Sequence, residues 1–147
     1  MKVYFDDKLV RTMPTSMGQG GTVRGKNGPI YLSTMPGTYT VLGHENPATM
    51  SSDSYGLPAN SPLGYAPEKV YWSTKISTDG IYLHQLDTTV WAQGHQNVSH
   101  GCLNLNHTNA KWFYQHSRVG DVVKVIHSGG PRLKFWQGGQ WDVPWSV

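Results

Sequence analysis

Glycine and proline recur so often along this chain that long helices have little room to form. The 147 residues include 17 glycines and 9 prolines, and both residue types interrupt helices and mark turns. A chain divided in this way folds from short segments joined by turns. We therefore expect a mostly β protein with one short helix, formed as a single domain over residues 1–147 that is long enough to bury a hydrophobic core.

Charge is sparse and scattered along the sequence. Charged residues make up 14% of the chain and the formal net charge is +3. Lysine and arginine form no run that would follow a phosphate backbone, so we expect no nucleic-acid partner. No stretch approaches the roughly 18 apolar residues that cross a bilayer. The aromatic content of 12% separates the chain from disordered segments.

The segments between the turns predict most of the secondary structure. Residues 2–13 indicate a β-hairpin around the polar turn Asp6-Asp7-Lys8. Further strands are predicted over residues 30–33, 38–42, 70–76, 81–84 and 121–126. One helix is predicted near residues 108–117, with Thr108 as its N-cap.

Two longer segments lack a clear periodicity. Residues 43–67 are rich in proline, serine, asparagine and glycine, yet they carry more apolar side chains than a linker would: Met50, Tyr55, Leu57 and Tyr65. A loop of this length in a small domain is typical of a flap over a binding site. The tail over residues 129–147 is expected to pack back over the sheet and carries Phe135, Trp136, Trp141 and Trp145.

Cys102 is the only cysteine, which excludes an internal disulfide and a zinc site built from several thiolates. A single cysteine is usually a small buried apolar residue, but its neighbours suggest chemistry. Gly101 permits a tight bend that could aim the amides of Gly101 and Cys102 at a carbonyl oxygen. His84 ends a predicted buried strand and is a candidate base for the thiol. Asn104 could fix the loop or bind a substrate amide.

Other interpretations of these residues remain open at this point. Ser99 and His100 can form local hydrogen bonds, and seven histidines make proximity to a cysteine weak evidence. A metal site would draw on His84, His95, His100, Cys102 and His107, whose spacings match no familiar zinc pattern. From the residues alone, a catalytic and a structural cysteine are about equally favoured, and we expect neither a metal nor another cofactor.

The run Ser-His-Gly-Cys-Leu-Asn at residues 99–104, separated from His84 by fourteen residues, resembles the signature of the L,D-transpeptidase catalytic domain, the YkuD family. The resemblance extends over nearly the whole chain, through residues 8–18, 36–39, 92–95, 109–114 and 120–123 and the tryptophan-rich tail. The later segments are similar to the actinobacterial, mycobacterial type in particular. The resemblance implies a β-sandwich with its active site under a flap.

The resemblance also implies a reaction on peptidoglycan stem peptides. Cys102 would attack the carbonyl of the third stem residue and expel the terminal D-Ala. The side-chain amine of a second stem would then resolve the acyl-enzyme, giving a 3→3 cross-link. His84 would act as base and then as acid, with its ring oriented by the backbone carbonyl of Gln85. His100 belongs to the catalytic motif, and the amides of Gly101 and Cys102 would form the oxyanion hole.

Further expectations for the pocket follow from the same resemblance. Tyr55 and Tyr65 match the family's flap tyrosines, and Met50 matches a residue that walls the pocket. With Ser99 and Asn104 they form the expected substrate-binding set, in which Tyr65 could lend its hydroxyl to the oxyanion. Carbapenem-type β-lactams are expected to acylate Cys102. The family context implies a monomer in the extracytoplasmic cell envelope, held at a membrane only through an anchor upstream of this chain.

Two segments depart from the family pattern, and the first of them bears on substrate and drug preference. Residues 85–88 are Gln-Leu-Asp-Thr where close relatives have a small residue followed by Ala-Pro-Trp, and residues 21–30 lack the usual Pro-Thr-Pro run. The sequence does not name the acceptor, so water (a carboxypeptidase), another amino acid or a lipoprotein lysine remain alternatives. A cell-wall binding module without turnover is an alternative of a different class.

Overall fold

The computed structural model describes residues 1–142. Within this range one α-helix, α1 (His107–His116), accompanies twelve strands of three to five residues. The strands are β1 (Lys2–Phe5), β2 (Lys8–Thr12), β3 (Thr22–Gly25), β4 (Gly28–Tyr31), β5 (Gly37–Thr40), β6 (Gly43–Glu45), β7 (Ala48–Met50), β8 (Glu68–Val70), β9 (Ser73–Lys75), β10 (Tyr82–Gln85), β11 (Leu103–Leu105) and β12 (Val122–Val125). The predicted mostly β architecture with one helix is confirmed.

A four-stranded sheet in the order β11-β10-β9-β6 forms the centre of the fold. β10 runs parallel to β11 and antiparallel to β9. The remaining strands form two-stranded pairs, namely β1–β2, β3–β4, β5–β12 and β7–β8. Helix α1 packs against β9 and β10, and the main core gathers apolar residues from both sheet and helix: Tyr39, Val41, Ile76, Leu83, Leu103, Leu105, Ala110 and Phe113.

The predicted strand over residues 70–76 is two strands in the structure, because the chain bends sharply at Trp72. Trp72 adopts a left-handed backbone conformation with φ of +50°, and its N–H donates to the side-chain oxygen of Asn46 at 2.9 Å. The bend sends Val70 into the β7–β8 hairpin and Ser73 into the central sheet. The local sequence over residues 70–76 gives no indication of such a break, because the bend is held by a residue distant in sequence.

The helix lies where the sequence places it, but its predicted cap is wrong. Asn106 is the N-cap, and its side-chain oxygen accepts from the N–H of Asn109 at 2.9 Å. Thr108 lies within the first turn instead. Both residue types cap helices well, and Asn106 takes the position because its carbonyl reaches the third residue of the helix.

The segment over residues 43–67 is more ordered than a plain loop. It begins with β6 and β7 and continues through a 3₁₀ turn at Ser52–Tyr55. The buried hydroxyl of Ser52 accepts from the N–H of Tyr65 at 2.8 Å and donates to its carbonyl at 3.0 Å, which joins the two sides of the loop. Opening and closing of this segment as a flap stays a prediction.

The tail packs against the sheet, but its aromatic rings do not provide the contacts. Phe135, Trp136 and Trp141 are 66%, 73% and 59% exposed. The contacts come from the buried Leu133 and from Asp142, which accepts from the N–H of Thr38 at 3.1 Å and pairs with Arg132. Trp145 lies outside the described residues.

Candidate active site

Strands β10 and β11 place the predicted catalytic residues on one face of the central sheet. The strands are in parallel register, with Leu83 opposite Leu103 and His84 opposite Asn104. Since side chains alternate between the two faces of a strand, the leucines enter the main core and His84 points to the other face. Cys102 directly precedes β11 and lies on the face of His84, where it packs against a second apolar cluster. The two side chains therefore lie on the same face of adjacent strands.

His84 is held as a neutral base with a defined orientation. Its side chain is 4% exposed, and its Nδ1 lies 2.9 Å from the backbone carbonyl of Gln85. A carbonyl only accepts, so Nδ1 carries the proton and Nε2 keeps its lone pair. Burial lowers the pKa of His84, and the bond to Gln85 opposes that shift only in part. The orienting contact expected from Gln85 is present.

Cys102 rests as a neutral thiol. The residue is half-buried, and Sγ–H donates weakly to the carbonyl of Gly80 at 3.5 Å. Burial raises the pKa of the thiol to about 12, with a smaller contribution from the Asp79 carboxylate and an opposing one from the Tyr82 backbone. Among the hydrogen bonds of residues 1–142, none joins Sγ to His84. A thiolate therefore forms only if a base takes the proton as the sulfur attacks.

Gly101 has a backbone conformation that other residues rarely adopt. Its φ is +151°, and an added Cβ would lie 2.9 Å from the Cδ1 atom of Ile81. The carbonyl of Gly101 is fixed by the buried hydroxyl of Thr34, which in turn accepts from the N–H of Gly18 at 2.9 Å. The nucleophile loop is thus anchored to the connection between β4 and β5 and, through Thr34, to the segment that precedes β3.

Ser99 organises the loop from within. Its hydroxyl donates to the carbonyl of Cys102 at 2.6 Å and accepts from the N–H of Gly101 at 3.1 Å. One of the two amides expected in the oxyanion hole is therefore engaged by a serine hydroxyl. A substrate oxyanion, which is a stronger acceptor than a hydroxyl, would compete for this amide.

The segment over residues 43–67 contacts the nucleophile loop through aromatic residues. The ring of Tyr65 lies 5.3 Å from that of His100 and 6.4 Å from that of Tyr55. His100 Nε2 donates to the carbonyl of Leu63 at 2.6 Å. Burial raises the pKa of both tyrosines, so their hydroxyls remain proton donors. Met50 packs against the same apolar cluster as Cys102.

Asn104 lies beside His84 across the parallel pair and is 1% exposed. Neither its Oδ1 nor its Nδ2 has a hydrogen-bond partner in the described part of the chain. A buried amide left in this way costs about 1–3 kcal/mol. The amide is thus enclosed beside His84 and unpaired within the described residues.

Sequence reasoning missed two groups that surround the thiol. Tyr82 packs against Cys102 and donates its hydroxyl to the Glu45 carboxylate at 3.1 and 3.2 Å. Burial, assisted by Glu45, raises the pKa of Tyr82 to about 12. The two-residue period back from His84 could have identified Tyr82. The carbonyl of Gly80 carries no such signal, because it is a backbone group.

The histidines considered as metal ligands do not converge. Over residues 1–142, no group of three or more His, Cys, Asp and Glu side chains is arranged to hold a metal ion. His107 lies instead in the first turn of α1, with its ring 6.4 Å from that of Trp72. His95 is exposed in the connection between β10 and β11.

Comparison with known proteins connects this geometry to a family. The family model of the L,D-transpeptidase catalytic domain (YkuD) matches residues 1–125. The chain belongs to this family. It is 40% identical over 146 residues to L,D-transpeptidase 2 of Mycobacterium tuberculosis, and 33% identical over 119 residues to L,D-transpeptidase 1 of the same species. The match covers 99% of this chain but 33% of L,D-transpeptidase 2, so the chain spans about a third of that relative's length.

Solved L,D-transpeptidase structures confirm the fold. An L,D-transpeptidase from Mycobacterium smegmatis superposes with a TM-score of 0.72 at 34% identity, covering 85% of this chain and 52% of that one. The structure of LdtMt1 in complex with imipenem gives a TM-score of 0.70 at 30% identity, covering 82% and 51%. The family predicted from the motif at residues 99–104 is thereby confirmed.

A polar segment follows the candidate base in this L,D-transpeptidase domain. Directly after His84, the Gln85 side chain donates to the Asp87 carboxylate at 2.9 Å. Residues Asp87–Thr89 then form a 3₁₀ turn. Residues 85–88 thus carry an amide–carboxylate pair directly after the candidate base.

Proposed function

We propose that this domain is a cysteine acyltransferase that forms 3→3 cross-links between peptidoglycan stem peptides. The observation that carries the proposal is the parallel register of β10 and β11, which puts His84 and Cys102 on one face with Nε2 of His84 unprotonated. A binding protein has no need of a base beside a thiol. Membership of the L,D-transpeptidase family supports the same reaction.

In the first half-reaction, Sγ of Cys102 attacks the carbonyl carbon of the third residue of a donor tetrapeptide. The Sγ–H proton passes to Nε2 of His84 as the S–C bond forms. The tetrahedral intermediate then collapses, the C–N bond to D-Ala breaks, and the protonated His84 gives its proton to the leaving amine. Because the thiol pKa is raised to about 12, we expect this proton transfer to accompany attack rather than precede it.

The nucleophile loop would stabilise the oxyanion of the tetrahedral intermediate. The N–H groups of Gly101 and Cys102 would bind the developing negative charge, with Ser99 releasing the first of them. Tyr65, whose raised pKa keeps its hydroxyl protonated, would donate to the same oxygen or to the substrate. Such donors stabilise acyl-transfer transition states by about 3–4 kcal/mol each.

In the second half-reaction, the side-chain amine of an acceptor stem attacks the thioester. Neutral His84 takes the amine proton as the C–N bond forms, and the thiol leaves with a proton from the histidine. Water in place of the amine would release a tripeptide, and another amino acid or a lipoprotein lysine would give an exchange product. The second stem is favoured by the likeness to L,D-transpeptidases.

Substrate contacts come from both sides of the nucleophile. Met50, Tyr55 and Tyr65 would line the donor site from the 43–67 segment. Ser99 and the unpaired amide of Asn104 would bind the stem backbone from the other side. The polar segment at residues 85–88 would alter the preference for the substrate side chains that contact it.

Carbapenem-type β-lactams are the covalent inhibitors we propose for Cys102. One relative's structure is described as a complex with imipenem, and that of L,D-transpeptidase 3 contains a faropenem-derived adduct. A β-lactam carbonyl presents the same electrophile to the thiol as the stem peptide. Ring opening would leave an acyl-enzyme with the mass of the intact drug added.

A peptidoglycan substrate places the proposed activity in the cell envelope, outside the cytoplasm, and we propose that the domain acts there as a monomer. Among the described residues, no helix has the length and apolar composition needed to span a bilayer.

Incubation with disaccharide tetrapeptide, followed by mass spectrometry, tests the proposal. We expect a cross-linked dimer together with released D-Ala, and neither product from Cys102→Ala. A tripeptide without dimer would identify a carboxypeptidase. Absence of both products, with no imipenem adduct under excess drug, would contradict the enzyme assignment and favour a binding module.

A further inference from the structure

The turn over residues 77–81 joins β9 to β10 and delivers the backbone group that contacts the nucleophile. The carbonyl of Gly80 accepts from Sγ–H of Cys102 at 3.5 Å. Gly80 has a φ of +96°, a conformation that glycine adopts without strain. The orientation of this carbonyl therefore depends on what holds the turn in place.

Within the turn, a buried serine and an aspartate brace the backbone. The hydroxyl of Ser77, which is fully buried, donates to Oδ1 of Asp79. It also accepts from the N–H of Ile81 at 2.9 Å. Asp79 thus uses one carboxylate oxygen inside the turn and leaves the other for an external partner.

The tail supplies that partner through Gln137. Nε2 of Gln137 donates to Oδ2 of Asp79 at 2.6 Å, and the Gln137 side chain is buried. Its Oε1 accepts from the N–H of Lys134 at 2.7 Å, which fixes the amide orientation. Two further hydrogen bonds join the turn to the tail backbone. The N–H of Thr78 donates to the carbonyl of Gln137 at 3.1 Å, and the Thr78 hydroxyl donates to the carbonyl of Trp136 at 2.7 Å.

We propose that Asp79 and Gln137 are positioning residues for the nucleophile: through this side-chain pair the tail fixes the turn whose Gly80 carbonyl holds the Cys102 thiol. The proposal rests on the proposed function, since positioning matters only if Cys102 attacks a substrate. Neither residue touches the reacting atoms. Their effect passes through the turn backbone and through the charge of Asp79.

A stabilising contact alone does not require a carboxylate at this place. The negative charge of Asp79 adds to the burial that raises the pKa of Cys102. A neutral side chain could brace the turn without that effect. The pair thus favours a protonated thiol, oriented and at rest until a substrate and His84 engage it.

The test uses three variants of residues 79 and 137 with a matched control. Gln137→Met keeps the buried volume but removes the donor and acceptor. Asp79→Asn removes the negative charge and replaces one of the two acceptor oxygens, which serve Ser77 and Gln137, with a donor. The double variant D79N/Q137E restores one amide–carboxylate hydrogen bond with its polarity reversed. Gln140→Ala is the control, because Gln140 is exposed in the same tail and its side chain makes no hydrogen bond in the described residues.

Two rates are measured on each folded variant: acylation of Cys102 by imipenem, and alkylation of Cys102 by iodoacetamide as a function of pH. We expect Gln137→Met to acylate about tenfold more slowly, since displacements near 1 Å cost up to about 100-fold. Its alkylation midpoint should shift to lower pH, because the protonated thiol loses its acceptor. The double variant should recover most of the acylation rate, and Gln140→Ala should match the wild type.

Thermal unfolding of each variant separates positioning from mere stabilisation. A variant that loses its melting transition is set aside, and the remaining single variant and the double variant decide the outcome. The proposal is overturned if Gln137→Met acylates within twofold of the wild type with an unshifted alkylation midpoint. It is also overturned if the double variant is no faster than the slower single variant. Iodoacetamide needs no transpeptidation, so failure of the proposed function would show separately, as absent cross-linking by the wild type.

Discussion

At the scale of single residues, the site depends on two side chains whose protonation states are set by burial. His84 is kept neutral because a cation is costly to bury, and Cys102 is kept protonated for the same reason applied to an anion. Neither residue alone is reactive at rest. The chemistry therefore depends on the placement of the two side chains on one face of two strands. The titration of His84 and the backbone conformation next to Cys102 can each be tested.

The pH dependence of acylation should follow the imidazole of His84. Its pKa is lowered by burial from the usual value of about 6.5, so the rate should stay high at pH 6.5 and fall only at lower pH, as the base becomes protonated. The neutral histidine's contribution to folding has the same sign: it is present above pH 6.5 and is lost as pH falls through the folded-state pKa. Imipenem acylation rates from pH 4 to 8 measure the midpoint.

His84→Gln is the matched variant for this measurement. It keeps a polar side chain on β10 and removes the titratable base, so acylation should drop by about 10²–10⁴-fold. The remaining rate should no longer fall at low pH, so the acid limb of the pH profile should be absent. A wild-type midpoint above 6.5, or an unchanged acid limb in His84→Gln, would contradict the role of this histidine.

Gly101→Ala should impair both folding and acylation. The new Cβ would meet Ile81 Cδ1 at 2.9 Å in a left-handed backbone conformation, a strain of about 1–3 kcal/mol. Combining it with Ile81→Val removes the colliding methyl and should restore part of the acylation rate. Urea unfolding and imipenem kinetics measure the two effects.

Gly43→Ala is the control for this substitution. Among the described residues, no atom lies within 4 Å of the place that a Cβ at Gly43 would occupy, and its φ is not positive, so its replacement should be nearly neutral. Equal losses at positions 43 and 101 would show that the close approach at Ile81 does not matter.

At the scale of elements, helix α1 braces the sheet on the face opposite to the thiol, and its start is set by one cap. Asn106→Ala removes the side-chain acceptor for the N–H of Asn109 and should cost about 1 kcal/mol of unfolding free energy. Thr108→Ala, inside the first turn, should change it by less than about 0.5 kcal/mol. Urea denaturation of both variants measures the difference, and the reverse order would contradict the observed cap.

Much of the element pattern was accessible from the sequence, and its failures have physical causes. The hairpin over residues 2–13 and the helix after Cys102 follow from local patterns that tertiary contacts do not override. The break at Trp72 depends on a hydrogen bond to Asn46, which is distant in sequence. The cap position depended on a choice between two competent residues, Asn106 and Thr108.

The same distinction between local patterns and distant contacts applies to the residues of the candidate site. His84, Cys102 and the carbonyl of Gln85 could be predicted because a motif and its spacing specify them. The carbonyl of Gly80 and the brace from Gln137 could not, since they are created by contacts between segments far apart in the chain. The exposed rings of Phe135, Trp136 and Trp141 show the same limit, because aromatic composition does not say which side chains the core accepts.

At the scale of the whole molecule, the two faces of β10 and β11 have different roles: one packs into the main core, and the other carries the candidate catalytic residues. Leu105→Ala removes a fully buried side chain from the main core and should cost about 2–5 kcal/mol of unfolding free energy. Acylation per folded molecule should stay within about twofold of the wild type, because the leucine faces away from Cys102. Calorimetry and imipenem kinetics well below the melting temperature measure the two quantities, and a parallel loss of both would show that the faces are coupled.

The parallel pairing of β10 with β11 obliges the chain to make a long crossover between His84 and Cys102. Hydrogen bonds between the two strands hold both ends of this crossover. At its start, the N–H of Leu86 donates to the carbonyl of Leu105 at 3.0 Å. Within residues 87–91, the hydroxyl of Thr89 donates to the carbonyl of Leu86, and the other four side chains are exposed. A library at Asp87, Thr88, Val90 and Trp91 would test whether this segment sets drug and substrate selectivity while the strand pairing is kept.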